Sequence, residues 1–449
     1  MKHKTGCGFY SPLSVLLIIV ACSSFGTTTN TSSETNLPVV NLRDFLGPDA
    51  TPESQLRVAR EWDLALREFG FAAIIGHGIP SSAFSGLYAA AKDFFALPME
   101  EKMKSCPGGG YGSSGGFTPG GIESVSRTLS IDEDKVSHNE IDAPPDLVES
   151  LVFLRDWADV NISDHGQREQ RHVLPSEPPE LVPVARDYQR FMARLVGTLH
   201  ELSAAALGLV DEDAPHMGKV TSNHSQNGDC RREFNYFEQF YSPNPSFALR
   251  LAYYPPLEYC TPQEQTHKET GQLPRRKLSE RLLQLWRNLR GKQRKKDRVH
   301  GIGDQGTRAV RYGAHTDYQG FTILRQDPSQ QGLEILFPDG VWRAVHSTGS
   351  AVHRPEEGVV SEEVLLVNIG DLFQQWTNDR WKSTMHRVSN PPQGSDGARS
   401  DRLSLVFFTG PRDDALIEVL PCCTDGPGAG YEPVLAGAHL KAKLQVSNV

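Results

Sequence analysis

Between Thr51 and Phe69 the apolar residues Leu56, Ala59, Trp62, Leu66 and Phe69 recur in steps of three and four, which predicts an amphipathic helix. "GFAAIIGHGIP" (Gly70 to Pro80) follows as a continuous apolar run closed by Gly and Pro, a buried strand. "AFSGLYAAAKDFFALPMEEKMK" (Ala83 to Lys104) returns to helical spacing and is broken at Pro98. Next comes "CPGGGYGSSGGFTPGG", read as a glycine-rich loop, then a polar, acidic stretch. "ELVPVARDYQRFMARLVGTLHELSAAALGL" (Glu180 to Leu209) carries one long apolar stripe and predicts a helix that serves as a spine.

From Phe247 the period changes. "FALRLAYYPP", "GAHTDYQGFTIL", "GLEILFPDGVWRAV", "EEVLLVNIGDLF", "KSTMHRV" and "RLSLVFFTG" are short runs rich in Val, Ile, Leu and aromatics, separated by Gly, Pro, Asn and Asp. That pattern predicts a β-sandwich or barrel. Two insertions interrupt it. Residues 261–307 hold "RRKLSERLLQLWRNLRGKQRKK", where Leu278, Leu282, Leu285, Trp286 and Leu289 form a short stripe among at least nine basic residues. This basic insert, centred on 275–298, is either a solvated surface insertion or a contact for a membrane or acidic partner. Residues 346–363 show no periodicity and read as a loop. The expected organisation is therefore a leader and linker (1–36), an N-terminal region (37–150), a helical spine (151–246) and a β core (247–443), working as one catalytic unit and as a monomer.

Composition narrows this modestly. With 449 residues, 38% hydrophobic and 22% charged, the chain can bury a large core. Its net charge of −9 argues against nucleic acid as the main partner. The seven cysteines are scattered, with no CxxC pair, and read as thiols rather than a disulfide framework. Lys2 and Lys4 precede "SPLSVLLIIVACSS", too short for the ~20 residues that span a bilayer but matching the apolar region of a signal peptide. Secretory, endomembrane or organelle targeting is the expectation, with a cytoplasmic location as the alternative. "IVAC" at Cys22 also has the form of a bacterial lipobox. Asn30, Asn161 and Asn223 lie in glycosylation sequons, which matter only in the secretory pathway.

His315 and Asp317 stand two apart in "RYGAHTDYQGFTIL". Residues i and i+2 share a face on extended chain and lie about 200° apart on a helix, so the pair can hold one ion only if the segment is extended. His386 in "RWKSTMHRV" is the best third ligand, on the predicted face of Thr384, His386 and Val388. His346 and His353 are rivals in the irregular insertion. Two histidines and a carboxylate leave three octahedral positions open, the arrangement of non-haem Fe(II) oxygenases, although zinc also accepts such ligands. In "RLSLVFF" both strand faces are apolar, so Arg402 projects from an apolar wall. A buried guanidinium needs a carboxylate. That carboxylate is either an internal Asp or Glu or a bound dicarboxylate held by Arg402 with the Ser404 hydroxyl.

At this point the chain resembles the isopenicillin-N-synthase-like branch of the Fe(II)/2-oxoglutarate-dependent dioxygenases. The blocks carrying the resemblance run in order from "LPVVNLRDF" through "FGFAAIIGHGIP", "AKDFFALPMEEKMK", "GGFTPGGIESV", "LRLAYYPP", "GAHTDYQGFTIL", "VNIGDLFQQWTNDRWKSTMHRV" and "RLSLVFFTGP" to "YEPVLAGAHL". The resemblance implies a mainly β core, a double-stranded β-helix or jelly roll flanked by α-helices. It implies Fe(II) on His315, Asp317 and His386, and 2-oxoglutarate held by Arg402, Ser404 and Tyr254. O₂ is then a second cosubstrate, with ascorbate as a candidate reductant, and the product is a hydroxylated, desaturated or cyclised small molecule. A 2-oxoglutarate-independent oxidase and a catalytically silent binding protein are the alternatives. Ala252 departs from the Asn that many plant relatives carry there. The expected substrate walls are the loop near Phe117, the region Phe234 to Tyr241 and the C-terminal tail.

Overall fold

The computed structural model describes residues 37–107, 115–130, 145–155, 173–209, 236–257, 310–327, 332–345, 363–392, 395–428 and 430–447. The apolar N-terminal run, the three sequons, the basic insert, His346, His353 and Phe234 lie outside the described residues. The described strands are β1 (Val39–Asn41), β2 (Phe71–Ile75), β3 (Gly116–Thr118), β4 (Glu149–Leu154), β5 (Ala248–Tyr254), β6 (Tyr312–His315), β7 (Phe321–Arg325), β8 (Leu333–Leu336), β9 (Trp342–Ala344), β10 (Leu365–Ile369), β11 (His386–Val388), β12 (Arg402–Phe408), β13 (Leu416–Ile417) and β14 (Val434–Leu435).

They assemble into an eight-stranded sheet, in the order β1-β2-β10-β7-β12-β5-β4-β3, and a four-stranded sheet, β6-β11-β8-β9. β13 and β14 form a separate ribbon. Within the two larger sheets all pairings are antiparallel except that of β1 with β2. This is a jelly roll with helices on its outer face.

Alternation along each strand of the large sheet decides what goes where, because successive side chains leave opposite faces. Ala72, Ile74, Leu249, Leu251, Phe321, Ile323, Leu365, Val367, Leu403, Leu405 and Phe407 join the main core with the helices. The alternate residues face inwards. Phe71, Ala73 and Leu366 meet Leu333 and Ile335 of the small sheet, while Ala252 and Tyr254 meet Val388, with Val406 packed alongside. Both faces are therefore buried, at about 1.5–3 kcal/mol for each large side chain.

The helices covering the outer face follow the sequence expectation within a residue or two. Pro52–Glu68 starts with a capping box: the Ser54 amide donates to the Thr51 hydroxyl at 3.2 Å and the Thr51 amide to the Ser54 hydroxyl at 2.9 Å. It buries Val58, Ala59, Trp62, Ala65 and Leu66. Leu56, expected on that stripe, is instead 46% exposed; at about 100° per residue it lies roughly 120° from the centre of the buried face and borders a groove. Ser81–Ala96 and Met99–Met103 flank Pro98. The spine runs Leu181–Leu207, and its Ser203 hydroxyl receives the Trp62 indole N–H at 3.0 Å.

Two sequence expectations need correction. The glycine-rich segment is not loop throughout, since Gly116–Thr118 forms β3 on β4. The boundary at 150/151 also cuts β4, which belongs to the large sheet beside β5 rather than to a helical region. "ESLVFL" carries too few residues for a period to stand out.

His200 of the spine packs among Tyr241, Phe237 and Phe321, with ring centroids 4.1, 5.6 and 5.6 Å away. Burial drives its imidazole down to about pH 3, from 6.5. The folded state thus binds fewer protons here than the unfolded one, so stability falls as pH drops below 6.5, by roughly 1.4 kcal/mol per unit. His200→Leu should remove this slope, and denaturant midpoints at pH 5 and 7 would show whether it does.

Candidate active site

His315 closes β6, His386 opens β11, and the two stand opposite one another across the small sheet. The next pair is Tyr312 with Val388, so two residues of β6 oppose one of β11. This is a bulge. Without it, Tyr312 and His315, three apart, would face opposite ways; with it, both turn into the barrel, their rings edge-on at 4.9 Å.

Asp317 lies just beyond the end of β6 rather than on the strand. Its approach depends on the turn 316–320 docking against the helix Asp371–Trp376. The Asp371 amide donates to Asp317 O at 2.9 Å and the Gly370 amide to Gly320 O at 2.7 Å. A Cβ on Gly370 would sit 2.7 Å from Gln319 N and 3.0 Å from Asp317 O. Gly370→Ala should therefore cost about 1–3 kcal/mol of stability and weaken metal retention, which thermal melting and metal titration would read.

The three side chains converge. His315 Nε2 is 3.7 Å from Asp317 Oδ1 and His386 Nε2 is 3.8 Å from Asp317 Oδ2. One donor atom from each lies within 4.8 Å of the others, so the group can hold a metal ion. Each imidazole is oriented by the carbonyl two residues before it: His315 Nδ1 lies 2.9 Å from Gly313 O and His386 Nδ1 3.0 Å from Thr384 O. Those contacts assign the ring protons to Nδ1 and leave both Nε2 lone pairs for a cation. Asn368 Nδ2 donates to Asp317 Oδ2 at 2.5 Å, and Thr322 also hydrogen-bonds that carboxylate. Burial alone would raise Asp317, but His386, His315 and these hydrogen bonds hold it below the usual carboxylate range. Burial and His386 push His315 well below the usual imidazole range. The resting site is an anionic carboxylate between two imidazoles, the form that takes up a divalent cation.

Arg402 and Ser404 occupy inward positions of β12, opposite Tyr254 and Ala252 of β5. Arg402 is 1% exposed, with its guanidinium 4.9 Å from the Tyr254 ring centre. Among the described residues, Arg402 Nε and Nη1 and Ser404 Oγ find no hydrogen-bond partner. Arg250, also inward on β5, differs. Its Nη2 donates to Glu123 Oε2 at 2.5 Å and its Nη1 to the Tyr312 hydroxyl at 3.0 Å. The Arg250 guanidinium is thus neutralised internally, while that of Arg402 keeps donors for an anionic visitor. Tyr254, Ala252 and Val388 make the apolar patch joining the Arg402 end to the histidines.

Sequence reading missed Asn368, Thr322, Arg250, Glu123 and Asp146. The Asp146 carboxylate accepts from Val125 N at 2.9 Å and Gly313 N at 2.8 Å, tying the 123–128 segment to β6. The C-terminal helix Ala436–Ser447 reaches the same rim, its Ser447 carbonyl accepting from Ser124 N at 3.1 Å. Lys443 Nζ is 3.0 Å from Asp371 Oδ2. Of the expected substrate walls, Phe117 turns to the helix side, where it meets Phe94 at 5.8 Å. Tyr236 to Tyr241 also packs into that outer core, against Phe373 and Trp376. Strand alternation explains the first: Phe117 pairs with Leu151, which is itself outward.

Comparison with known proteins agrees with this architecture. Residues 37–177 match the family described as non-haem dioxygenase in morphine synthesis, N-terminal, and residues 246–411 match the 2OG-Fe(II) oxygenase superfamily. The chain is 24% identical over 410 residues to 2-oxoglutarate-dependent dioxygenase tropC of Talaromyces stipitatus, covering 91% of this chain and 94% of that one. It is 24% identical over 428 residues to homoarginine-6-hydroxylase 2-ODD-C23.1 of Arabidopsis thaliana, covering 92% and 97%. The crystal structure of a full-length Neurospora crassa protein in complex with alpha-KG has the same fold, with TM-score 0.60 and 21% identity over 91% of this chain and 96% of that one. So does the rice dioxygenase for auxin oxidation, with TM-score 0.53 and 18% identity over 92% and 96%. With the two family matches together spanning more than half of its length, and a jelly roll enclosing two histidines and a carboxylate, the chain belongs to the Fe(II)- and 2-oxoglutarate-dependent oxygenase superfamily.

Proposed function

We propose that the chain oxidises a small organic molecule, with His315, Asp317 and His386 holding Fe(II) and Arg402, Ser404 and Tyr254 holding 2-oxoglutarate. The observation that carries this reading is the orphaned polar set: Arg402 Nε and Nη1 and Ser404 Oγ, buried with no acceptor among the described residues, in the same barrel interior as three converging metal donors. A buried guanidinium left in that state is costly, and a carboxylate placed there satisfies it.

When bound, Fe(II) with O₂ would supply the oxidising power that is coupled to oxidative decarboxylation of 2-oxoglutarate to succinate and CO₂. The protein's share is position. Gly313 O and Thr384 O fix the two rings, Asn368 and Thr322 fix the carboxylate, and Arg402 with Ser404 fixes the far end of the keto acid. The Tyr254 ring packs against the guanidinium and limits how it turns. The inward apolar residues exclude water from that end. The relatives include a homoarginine-6-hydroxylase and a validamycin A dioxygenase, in keeping with a small-molecule substrate here. Hydroxylation is the simplest outcome; desaturation or cyclisation of the substrate would use the same centre. The orphaned Arg402 donors favour this over an oxidase that dispenses with 2-oxoglutarate.

Purified full-length protein given Fe(II), ascorbate and 2-oxoglutarate should release succinate, and His315→Ala should abolish release. Undiminished turnover in that variant, or wild-type protein that takes up no iron, would sink the proposal.

A further inference from the structure

Cys422 and Cys423 are adjacent, lie in the short helical turn Pro421–Cys423, and place their sulfurs 3.6 Å apart. They are unlike in environment, since Cys422 is exposed and Cys423 is buried, at 3% exposure. The turn is held from both sides: the Leu420 amide donates to Trp376 O at 2.8 Å and Asn378 Nδ2 to Cys423 O at 3.1 Å. The Arg380 guanidinium lies close enough to act electrostatically on both thiols, while bonding Asp63 at 3.0 Å. Arg380 also lines a groove of 590 Å³ between the Pro52–Glu68 helix and the end of the spine, where Arg60 and Arg67 add two further positive charges against Asp63. None of these groups touches the metal donors.

We propose that Cys422 and Cys423 form a dithiol site that reacts with a small anionic disulfide and closes to a vicinal disulfide. Exposure and the neighbouring guanidinium make Cys422 the attacking thiol. Its thiolate displaces one thiolate from the incoming disulfide, giving a mixed disulfide, and the displaced thiolate takes up a proton. Cys423, in contact with Cys422, then loses its proton to water and displaces the second small thiol, forming the Cys422–Cys423 bond. In sum, two protein thiols and one small disulfide become one intrachain disulfide and two small thiols, so electrons and protons balance. Arg380, which acts on both thiols, sets the charge of the reagent. Consecutive Cα atoms are about 3.8 Å apart across a trans peptide, below the roughly 4.4–6.8 Å usual for disulfides. The ring is therefore strained and readily reopened by excess monothiol.

The probe is glutathione disulfide, added to reduced full-length protein, followed by alkylation with N-ethylmaleimide, trypsin and mass spectrometry. The tryptic peptide Asp413–Lys441 contains both cysteines and no other. It should appear unalkylated and two hydrogens lighter, and should regain both hydrogens with excess glutathione. Cys423→Ser should stop at the glutathione adduct on Cys422, and Cys422→Ser should leave the peptide alkylatable. A wild-type peptide that is unmodified, stops at the adduct, or links to another cysteine overturns the proposal. The ratio of rates with glutathione disulfide and with cationic cystamine should fall about tenfold in Arg380→Gln; an unchanged ratio overturns the anion preference.

Discussion

Asp317→Ala should lose iron retention and succinate release together while the protein stays folded. Among the described residues the carboxylate is the one anionic donor of the cluster, and it lies 3.7 and 3.8 Å from the two Nε2 atoms. Two imidazoles alone make a weak site for a hard divalent ion. Its removal strands the Asn368 amide and the Thr322 hydroxyl, at about 1–3 kcal/mol, within what a domain of this size tolerates. Asn368→Ala is the graded comparison. It keeps all three donors and frees the carboxylate to turn, so affinity or activity should fall by the roughly 10- to 100-fold typical of an outer partner. Iron measured after desalting, succinate release and circular dichroism separate these effects. Iron retained at the wild-type level by Asp317→Ala would mean that the ion is held elsewhere.

The metal donors were legible in the sequence because the ligand types are distinctive and local spacing joins two of them. How they meet was not. The bulge that brings Tyr312 and His315 to one face shows only when β6 is laid against β11, and Asp317 approaches through a turn rather than along a strand. Asn368 lies 51 residues from Asp317. Its one sequence signal was a lone amide in the apolar "LLVNI", as Thr322 was a lone hydroxyl in "FTIL". Glu123 and Asp146 come from segments whose composition suggests only loop. Arg402 was legible for a different reason. Both faces of its strand are apolar, so a charge there had to be internal, paired or awaiting a partner. Arg250 satisfies the same description in "LRLAYY", and only the structure separates the two, by placing Glu123 against one and leaving Nε and Nη1 of the other without a hydrogen-bond partner among the described residues.

The same asymmetry makes Arg402→Met the sharper test of cosubstrate binding. Loss of one side of a buried, hydrogen-bonded charge pair costs about 2–5 kcal/mol, which corresponds to a rise in KM for 2-oxoglutarate of about 30- to 4000-fold. Iron content should not change, since Arg402 touches none of the donors. Stability without ligand should move the other way. Arg402 Nε and Nη1 have no partner among the described residues, so an unbranched apolar side chain should leave the protein as stable as wild type or up to about 2 kcal/mol more so. Contact with the Tyr254 ring, about 0.5–2 kcal/mol, limits the gain. Saturating 2-oxoglutarate should raise the wild-type melting point, by about 2.7 kcal/mol of stability at a hundredfold excess over Kd, and leave the variant's unmoved. Arg402→Lys keeps the charge but not the two-pronged geometry, and should fall between them. A fully structural Arg402 would give the opposite pattern: both variants unstable without ligand and both still stabilised by it. Two melting curves, with and without 2-oxoglutarate, therefore separate an arginine that supports the barrel from one that receives the keto acid.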